Sequence, residues 1–254
     1  MSAVPVLETR GLGRRFGGLQ AVSDVSFSVP EGQVLGVIGP NGAGKSTFIN
    51  LVTGHIKPTE GRVLIDGKDM TGAAPWTISR AGVARTFQIV KPFGGMSVRE
   101  NVAVGILYEP HGTNVMSKAL KAADEVLEEV GMAGLGDRLP GELSVADARR
   151  LEFAKALASR PRLLLLDEVM AGLRHTEIGP SLELIRNLKA RGITIIVVEH
   201  VMKAILAVSD QVMVLAQGKI LTSGDPQTVL SDPRVIEAYL GHRYAKRREG
   251  NPDA

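Results

Sequence analysis

The sequence predicts an α/β fold in which buried parallel strands alternate with helices. Three observations carry this prediction. Two runs are apolar almost throughout and too short for helices, RLLLLDE at 162–168 and ITIIVVEH at 193–200. A helical pattern from Glu177 to Arg191 lies between them. Unbroken apolar strands that alternate with a helix are typical of a parallel sheet covered on both faces.

The composition is that of an ordinary globular chain. Its 254 residues, 44% hydrophobic and 22% charged, are enough to bury a sizeable core. The 30 basic residues nearly balance the 27 acidic ones and give a formal charge of +3, so we expect no nucleic-acid partner. Cysteine is absent, which excludes disulfides and thiolate metal ligands.

The sequence shows neither a targeting segment nor a membrane span. The beginning, MSAVPVLETR, has no basic segment followed by an apolar one, and no stretch approaches the roughly 18 apolar residues of a span. If the protein works on a membrane, we therefore expect it to be a peripheral partner.

The first part of the chain predicts strands, and the middle predicts helices. VSFSV near residue 25, QVLGVIG at 33–39 and GRVLID at 61–66 are short β-rich runs with Gly and Pro between them. From about 97 to 160 the pattern is helical, because the apolar residues of MSKALKAADEVLEEV fall three or four apart. The middle section is therefore predicted to be a helical insertion.

The end of the chain, PQTVLSDPRVIEAYLG, predicts two small helices separated by Asp232-Pro233. No internal repeat or low-complexity linker divides the sequence, so we expect a single domain over 1–254. Within it we expect a core lobe at about 1–88 and 161–241, a helical subdomain at about 89–160, and a polar tail at 242–254.

GPNGAGKST, at 39–47, matches the phosphate-binding loop G-x-x-x-x-G-K-[ST] between a predicted strand and a predicted helix. Glycines let backbone N–H groups turn towards phosphates, and the helix presents its positive end. Lys45 is predicted to reach the β- and γ-phosphates, and the Ser46 hydroxyl to bind Mg²⁺. The candidate ATP-binding residues here are Gly39, Pro40, Asn41, Gly42, Ala43, Gly44, Lys45, Ser46 and Thr47.

Asp167, Glu168 and His200 follow the two buried strands. An acid at the carboxyl end of a buried strand can hold the magnesium shell, so we assign Asp167 to the metal through water. Glu168 is predicted to orient or deprotonate the attacking water. His200 is predicted to hydrogen-bond the γ-phosphate and the water as a sensor.

Four motifs occur in order: GPNGAGKST, ARTFQ with Gln88, LLLLDE and VVEH. Together they resemble the ATP-binding subunit of an ABC transporter over nearly the whole chain. The sequence is most similar to ATPase subunits of bacterial branched-chain amino acid importers, in RFGGLQAVSDVSFSV, GVARTFQIVKPFGGMSVRENVAVG, RRLEFAKAL and DPRVIEAYLG. The resemblance implies a P-loop NTPase fold of ABC type, with a mixed sheet core, an N-terminal antiparallel β subdomain and an inserted helical subdomain.

The resemblance also implies site residues and a setting. Phe16 would stack on adenine, unless it is a core phenylalanine, and Gln88 would join Ser46 on Mg²⁺ and touch the attacking water. ATP and Mg²⁺ are the implied cofactors. The implied partners are a second ATPase, two transmembrane permease subunits and, indirectly, an extracytoplasmic solute-binding protein. The ATPase would lie at the cytoplasmic face of the inner membrane and drive uptake of a small solute, such as a branched-chain or related amino acid.

LSVAD, at 143–147, departs from the family pattern. The equivalent stretch in the family opens a helix that points at the γ-phosphate held by the partner ATPase, and Ala146 stands where family members almost always keep glycine. The candidate contacts to the partner's ATP are Ser144, Val145, Ala146 and Asp147. Because a methyl hinders close approach of the backbone, we expect an asymmetric dimer with one weaker site. Ser144-Val-Ala-Asp147 also matches an S-x-x-D helix cap, which would form without nucleotide.

We expect two further departures from the family pattern to lie on surfaces that face the partner ATPase. Val169 replaces a usual proline, and Arg174-His175 stands in place of a small-polar or Asn-Pro pair. A symmetric dimer that tolerates these changes remains open. So do an ATPase for lipid or lipopolysaccharide extraction, a non-transport ABC ATPase acting on nucleic acid, and a small-molecule kinase. The water-activating Glu168 disfavours the kinase.

Overall fold

The computed structural model describes residues 4–87, 90–109 and 112–240, which form two sheets surrounded by helices. The α/β prediction is confirmed. The strands are β1 (Leu7–Phe16), β2 (Leu19–Val29), β3 (Val34–Ile38), β4 (Glu60–Ile65), β5 (Lys68–Asp69), β6 (Val83–Arg85), β7 (Leu163–Asp167), β8 (Thr194–Val198), β9 (Gln211–Ala216) and β10 (Lys219–Gly224). The helices are α1 (Lys45–Val52), α2 (Pro75–Arg80), α3 (Val98–Tyr108), α4 (Met116–Glu129), α5 (Val145–Leu157), α6 (His175–Ala190), α7 (Met202–Val208), α8 (Pro226–Leu230) and α9 (Pro233–Leu240).

The larger sheet has six strands in the order β10-β9-β3-β8-β7-β6 and is mixed. Strand β10 is antiparallel to β9, and the other neighbours are parallel. Every residue of β3, β7 and β8 is buried, as expected for unbroken apolar runs. Because Val198 aligns with both Val37 and Asp167, the chain leaves these three strands at one edge of the sheet.

The smaller sheet is antiparallel, in the order β2-β1-β4-β5, and forms the N-terminal β subdomain. Sequence patterns found parts of β2 and β4 but not β1. Register shifts interrupt the pairing of β1 with β2, which fits the irregular alternation of LETRGLGRRF. The Ser23 N–H donates to the Gly218 carbonyl at 2.8 Å and thereby joins the two sheets.

Helices α3, α4 and α5 form the predicted helical insertion between β6 and β7. The first of them begins with a capping box, in which the Ser97 hydroxyl accepts the Glu100 N–H and the Glu100 carboxylate accepts the Ser97 N–H. Of the apolar residues predicted to form the buried stripe of MSKALKAADEVLEEV, Ala123, Leu127 and Val130 are buried and Leu120 and Val126 are half-buried, whereas Met116 is 51% exposed. The prediction was therefore wrong for Met116, at the start of α4. The exact boundaries at 89–160 stay a prediction.

The two small C-terminal helices are confirmed as α8 and α9, with Asp232 between them. Helix α6 begins at His175, two residues before the predicted start. Elements without a strong periodic signal, α2, α7, β6, β9 and β10, were not identified individually from the sequence. None of the helices within the described ranges is long and apolar enough to cross a membrane.

Candidate nucleotide site

The predicted phosphate loop connects β3 to α1, and close backbone contacts fix its shape. A Cβ atom on Gly39 would come within 2.2 Å of the Leu215 carbonyl oxygen. One on Gly44 would come within 2.5 Å of the Ala21 oxygen. Neither position has room for a side chain, so glycine is required at both. The Gly218 N–H also donates to the Ala43 carbonyl at 3.0 Å, which ties the loop to the β9–β10 hairpin.

Lys45 is buried at the start of α1, with its ammonium inside the loop. Nζ donates to the carbonyl of Gly39 at 2.6 Å and to that of Pro40 at 3.1 Å. Burial lowers the pKa of Lys45, and the nearby carboxylates of Glu168 and Asp167 oppose that shift. The ammonium must therefore leave these two carbonyls to reach a bound phosphate.

Asp167 ends β7 and is only 6% exposed. Its carboxylate lies 3.3 Å from the guanidinium of Arg85, and its backbone N–H donates to the Thr86 hydroxyl at 3.1 Å. Burial raises the pKa of Asp167, while Arg85 acts in the opposite direction. This carboxylate is thus held between a buried cation and the phosphate loop.

Arg85 connects three elements of the site and was not singled out from the sequence. Besides its contact with Asp167, it donates to Asn50 Oδ1 at 2.7 Å and to Thr53 Oγ1 at 3.3 Å, both on or beside α1. Its guanidinium lies 4.7 Å from the ring centroid of Phe87. The available signal was an arginine at the end of a buried strand, three residues before Gln88.

Glu168 and His200 lie at the same edge of the sheet, as predicted, and they also contact each other, which the sequence did not predict. His200 Nε2 lies 2.5 Å from Glu168 Oε1. The Glu168 backbone has a φ of 52°, and its N–H donates to the Val198 carbonyl at 2.9 Å. The imidazole is more exposed than the carboxylate, so the pair lies at an accessible edge with its histidine outermost.

Glu199 is a second carboxylate that sequence reasoning missed. It is 2% exposed and accepts the Met170 N–H at 2.9 Å, which links the end of β8 to the turn after Glu168. Burial raises its pKa from 4.5 to about 6, although hydrogen bonds from the backbone of Met170 and His200 oppose this. A lone acid within the apolar run ITIIVVE was the signal.

Phe16 and Gln88 stand differently with respect to the described structure. Phe16 ends β1 with its ring partly exposed, and the Arg14 guanidinium lies 4.6 Å from the ring centroid. Its contact with adenine stays a prediction, although an exposed ring is favourable for it. Gln88 lies outside the described residues.

The segment from Ser144 to Asp147 forms the predicted cap of α5. The Ser144 hydroxyl accepts the Asp147 N–H at 3.1 Å and donates to the Asp147 carboxylate at 2.7 Å. Arg150 in turn pairs with Asp147 at 3.2 Å. The Asp147 carboxylate is therefore already partly neutralised within its own chain, which lessens the repulsion expected between it and a polyphosphate.

The two apolar residues of this segment have different surroundings. Val145 is 69% exposed, whereas Ala146 lines a groove between α5 and α6 together with Leu173 and Val169. Val169 is buried, so the expectation that it lies on an exposed partner-facing surface was wrong. An apolar valine in place of proline is accommodated by the core beneath it. Arg174 is exposed, and its N–H is capped by Glu177 at 2.8 Å.

The residues at this edge fit a magnesium nucleotide. Mg²⁺ takes oxygen ligands and keeps several of its waters. The exposed Ser46 hydroxyl and the buried Asp167 carboxylate are such oxygen donors, and both adjoin the phosphate loop. Ser46 is suited to direct contact, and Asp167 to contact through water.

Two protein-family models match the chain. Residues 22–171 match the model described as ABC transporter. Residues 219–245 match the model described as Branched-chain amino acid ATP-binding cassette transporter. The first match contains β3 to β7 and the helical insertion, together with most of β2, and the second contains β10, α8 and α9.

Curated relatives and solved structures match over nearly the full chain. The high-affinity branched-chain amino acid transport ATP-binding protein BraF of Pseudomonas aeruginosa is 40% identical, over 93% of this chain and 98% of BraF. LivG of Escherichia coli is 39% identical with the same coverage. The ADP conformation of MJ1267, an ATP-binding cassette of an ABC transporter, is 34% identical with a TM-score of 0.84, over 94% of this chain and 99% of that one. With both the family model and these relatives matched, the chain belongs to the ABC transporter family and is one of its ATPase cassettes.

Proposed function

We propose that this chain hydrolyses ATP to drive import of a branched-chain or related amino acid, as a peripheral subunit at the cytoplasmic face of the inner membrane. The observation that carries the proposal is the contact of Glu168 with His200 at the sheet edge that also bears Asp167 and the phosphate loop. The names of the relatives BraF and LivG support the amino acid as solute. Neither lipid extraction nor a nucleic-acid substrate is favoured by any of these names.

The phosphate loop binds and orients the triphosphate in this proposal. The backbone N–H groups after Gly39 and the start of α1 face the phosphates, and Lys45 moves from the loop carbonyls to the β- and γ-phosphate oxygens. Phe16 stacks on adenine. Ser46, Gln88 and, through water, Asp167 would hold Mg²⁺, which would supply neutralisation of the phosphate charge.

Glu168 and His200 handle the attacking water. Glu168 orients it in line with the γ-phosphorus and accepts its proton as the new P–O bond forms, while the bond from the γ-phosphorus to the β–γ bridging oxygen breaks and ADP leaves. His200 exchanges its contact with Glu168 for the γ-phosphate, which frees the carboxylate for the water. Gln88 touches the same water. In this proposal, the contact between Glu168 and His200 belongs to the nucleotide-free state of the site.

Replacement of the base tests this assignment. We expect Glu168→Gln to keep ATP binding and to lower the hydrolysis rate of the assembled transporter by about 10²- to 10⁴-fold, because general-base catalysis contributes about that much. Glu125→Gln on the exposed side of α4 is the matched control and should hydrolyse ATP as the unaltered chain does. Loss of ATP binding in Glu168→Gln, or undiminished hydrolysis, contradicts the role.

The permease subunits are proposed to dock between the helical insertion and the core lobe. A cavity of about 390 Å³ lies there, lined by α2, β6, α3 and α5. Trp76 and Tyr108 at this cavity are 69% and 79% exposed, which is unusual for large aromatic side chains. Arg85 lines the same cavity, so a permease segment there would lie close to a side chain that touches Asp167.

A second ATPase completes the site, and the dimer is proposed to be asymmetric. This chain supplies one phosphate loop with its base and histidine, and its own Ser144-Val-Ala-Asp147 completes the partner's site less well. Exposed Val145 adds its side chain at the start of α5 beside the Ala146 methyl. A lost transition-state contact of this kind costs on the order of 10²-fold in rate.

Solution mass in the presence of ATP and Mg²⁺ tests the asymmetric pair. Purified Glu168→Gln should bind ATP and stay monomeric, because the pair needs a different second ATPase. An ATP-dependent homodimer contradicts the proposal, since LSVAD would then close on a triphosphate. In the assembled transporter, Ala146→Gly and Val145→Gly should raise the rate of hydrolysis, and unchanged hydrolysis in both variants counts against asymmetry.

A further inference from the structure

The C-terminal helix contacts the phosphate loop directly. The hydroxyl of Tyr239, on α9, accepts the backbone N–H of Gly39 at 2.6 Å. Gly39 is the first residue of the loop, and its own carbonyl accepts Lys45 Nζ. The N–H of Gly39 is therefore bonded to the C-terminal helix, and its carbonyl is bonded to Lys45, the residue that is proposed to bind the phosphates.

The surroundings make this bond hard to replace. A Cβ on Gly39 would collide with the Leu215 oxygen, so this stretch of backbone already lies against β9 and has little freedom to turn. Burial raises the pKa of Tyr239, although the hydrogen bond from the Gly39 N–H opposes the shift. A partly buried amide without a partner carries a free-energy penalty, so the loop would rearrange if the phenol oxygen were absent.

Helix α9 is itself fixed to the core. Val235 is 3% exposed within the main apolar cluster, and Tyr239 packs against the same cluster one helical turn later. Asp232 caps the helix by accepting the Arg234 N–H at 2.9 Å. The phenol is thus presented to Gly39 from a helix that is anchored at its beginning.

We infer that Tyr239 is a positioning residue for nucleotide binding, which holds Gly39 in the orientation that the phosphates require. When Lys45 leaves the Gly39 carbonyl for a phosphate, the bond from the Gly39 amide to Tyr239 remains. Without it, a smaller fraction of molecules has a binding-competent loop, and apparent affinity falls in proportion. The inference rests on the proposed role of this loop, and it gives the C-terminal segment matched at 219–245 a part in nucleotide binding.

The test is ADP binding by titration calorimetry on the full chain, with Tyr239→Phe compared to the unaltered protein. Phenylalanine keeps the ring packing and removes only the hydroxyl. We expect the Kd for ADP to rise about three- to tenfold, the effect of one hydrogen bond expressed through loop population. In the assembled ATPase, KM for ATP should rise while kcat changes less than twofold. The amide proton of Gly39 should also exchange faster with solvent.

Ser231→Ala is the matched control, because it too removes a hydroxyl that bonds a nearby backbone carbonyl, that of Gln227, in the same region. It should leave the Kd within twofold. Equal Kd values for Tyr239→Phe and the unaltered chain overturn the inference, as does a lower unfolding temperature with unchanged affinity, which indicates a structural role alone. If the unaltered chain fails to bind ADP, the proposed function fails instead. Should Tyr239→Phe not fold, Val235→Ala, which loosens α9, must weaken ADP binding, and unchanged binding overturns the inference.

Discussion

At the scale of single residues, the site depends on charges that the fold keeps away from water. Asp167, Glu199 and Lys45 are all buried at the edge where the strands end. Burial favours the neutral form of each group: it raises the pKa of Asp167 and Glu199 and lowers the pKa of Lys45. Such shifts are common where ionisable groups do chemistry.

Glu199 makes stability depend on pH in a predictable direction. Its pKa is about 6 in the folded chain, compared with the ordinary value of 4.5 that applies to the unfolded chain. At pH values between these two, the folded state therefore binds more protons at this site than the unfolded state does. The free energy of unfolding attributable to Glu199 therefore falls as pH rises through the window, by about 2 kcal/mol in all. Urea unfolding of the unaltered chain and of Glu199→Gln from pH 4 to 7 measures this. The difference between the two should change by that amount, and parallel curves contradict it.

The pair of Arg85 and Asp167 should couple strongly. Both side chains are largely buried, so Arg85→Met leaves the Asp167 carboxylate buried without its cationic partner. We expect this substitution to lower the free energy of unfolding by about 3 kcal/mol. Adding Asp167→Asn should restore part of that loss, which a double-mutant cycle by urea unfolding detects. Arg162→Met breaks exposed pairs with Glu31 and Asp66 and should cost less than about 1 kcal/mol. Additive losses for Arg85 and Asp167 would show that the pair is uncoupled.

Sequence predicted site residues when a motif fixed their places, and it missed those defined by distant contacts. Asp167, Glu168 and His200 follow apolar strands, so their shared edge could be read from pattern alone. Arg85 meets Asn50 and Asp167 only through the order of strands in the sheet. Tyr239 reaches Gly39 across 200 positions of sequence, and no local pattern encodes such a contact.

At the scale of elements, two helices have serine caps, and only one of these serines is also proposed to contact the partner's nucleotide. Ser97 caps α3 and Ser144 caps α5, each through its hydroxyl. Alanine at either position should lower the free energy of unfolding by about 1 kcal/mol. Only Ser144→Ala should also slow ATP hydrolysis by the assembled transporter, because that cap is proposed to meet the partner's γ-phosphate. Thermal unfolding and steady-state hydrolysis of both variants separate the two effects, and equal rates would leave Ser144 as a cap alone.

Several strands with unbroken apolar runs and one helix with a clear apolar stripe were predictable, whereas β6 and α2 were not. The apolar runs of β3, β7 and β8 and the stripe of α4 decide their own structure through burial. Strand β6 has three residues and α2 has six, too few for a period to stand out. Their structure comes from neighbours, since β6 is a strand through its pairing with β7.

At the scale of the whole molecule, the groove between the two lobes is proposed to receive the permease. Trp76→Ala and Tyr108→Ala together should leave ADP binding by the isolated chain within twofold, because neither side chain lies in the phosphate loop. When the complex is purified in mild detergent, less permease should co-purify with the same double variant than with the unaltered chain. Leu19→Ala, an exposed apolar residue on the N-terminal sheet, is the matched control and should recover permease fully. Full recovery with the aromatic variant would place the docking surface elsewhere.

The phosphate loop takes its neighbours from widely separated parts of the chain. Its glycines lie against Ala21 and Leu215, Gly218 bonds Ala43, and Tyr239 bonds Gly39. During synthesis, the ribosome makes the loop long before it makes residue 239. The newly made loop therefore has its motif but not its full set of supports. The full affinity for nucleotide should then be reached only late in translation, once residue 239 has been made.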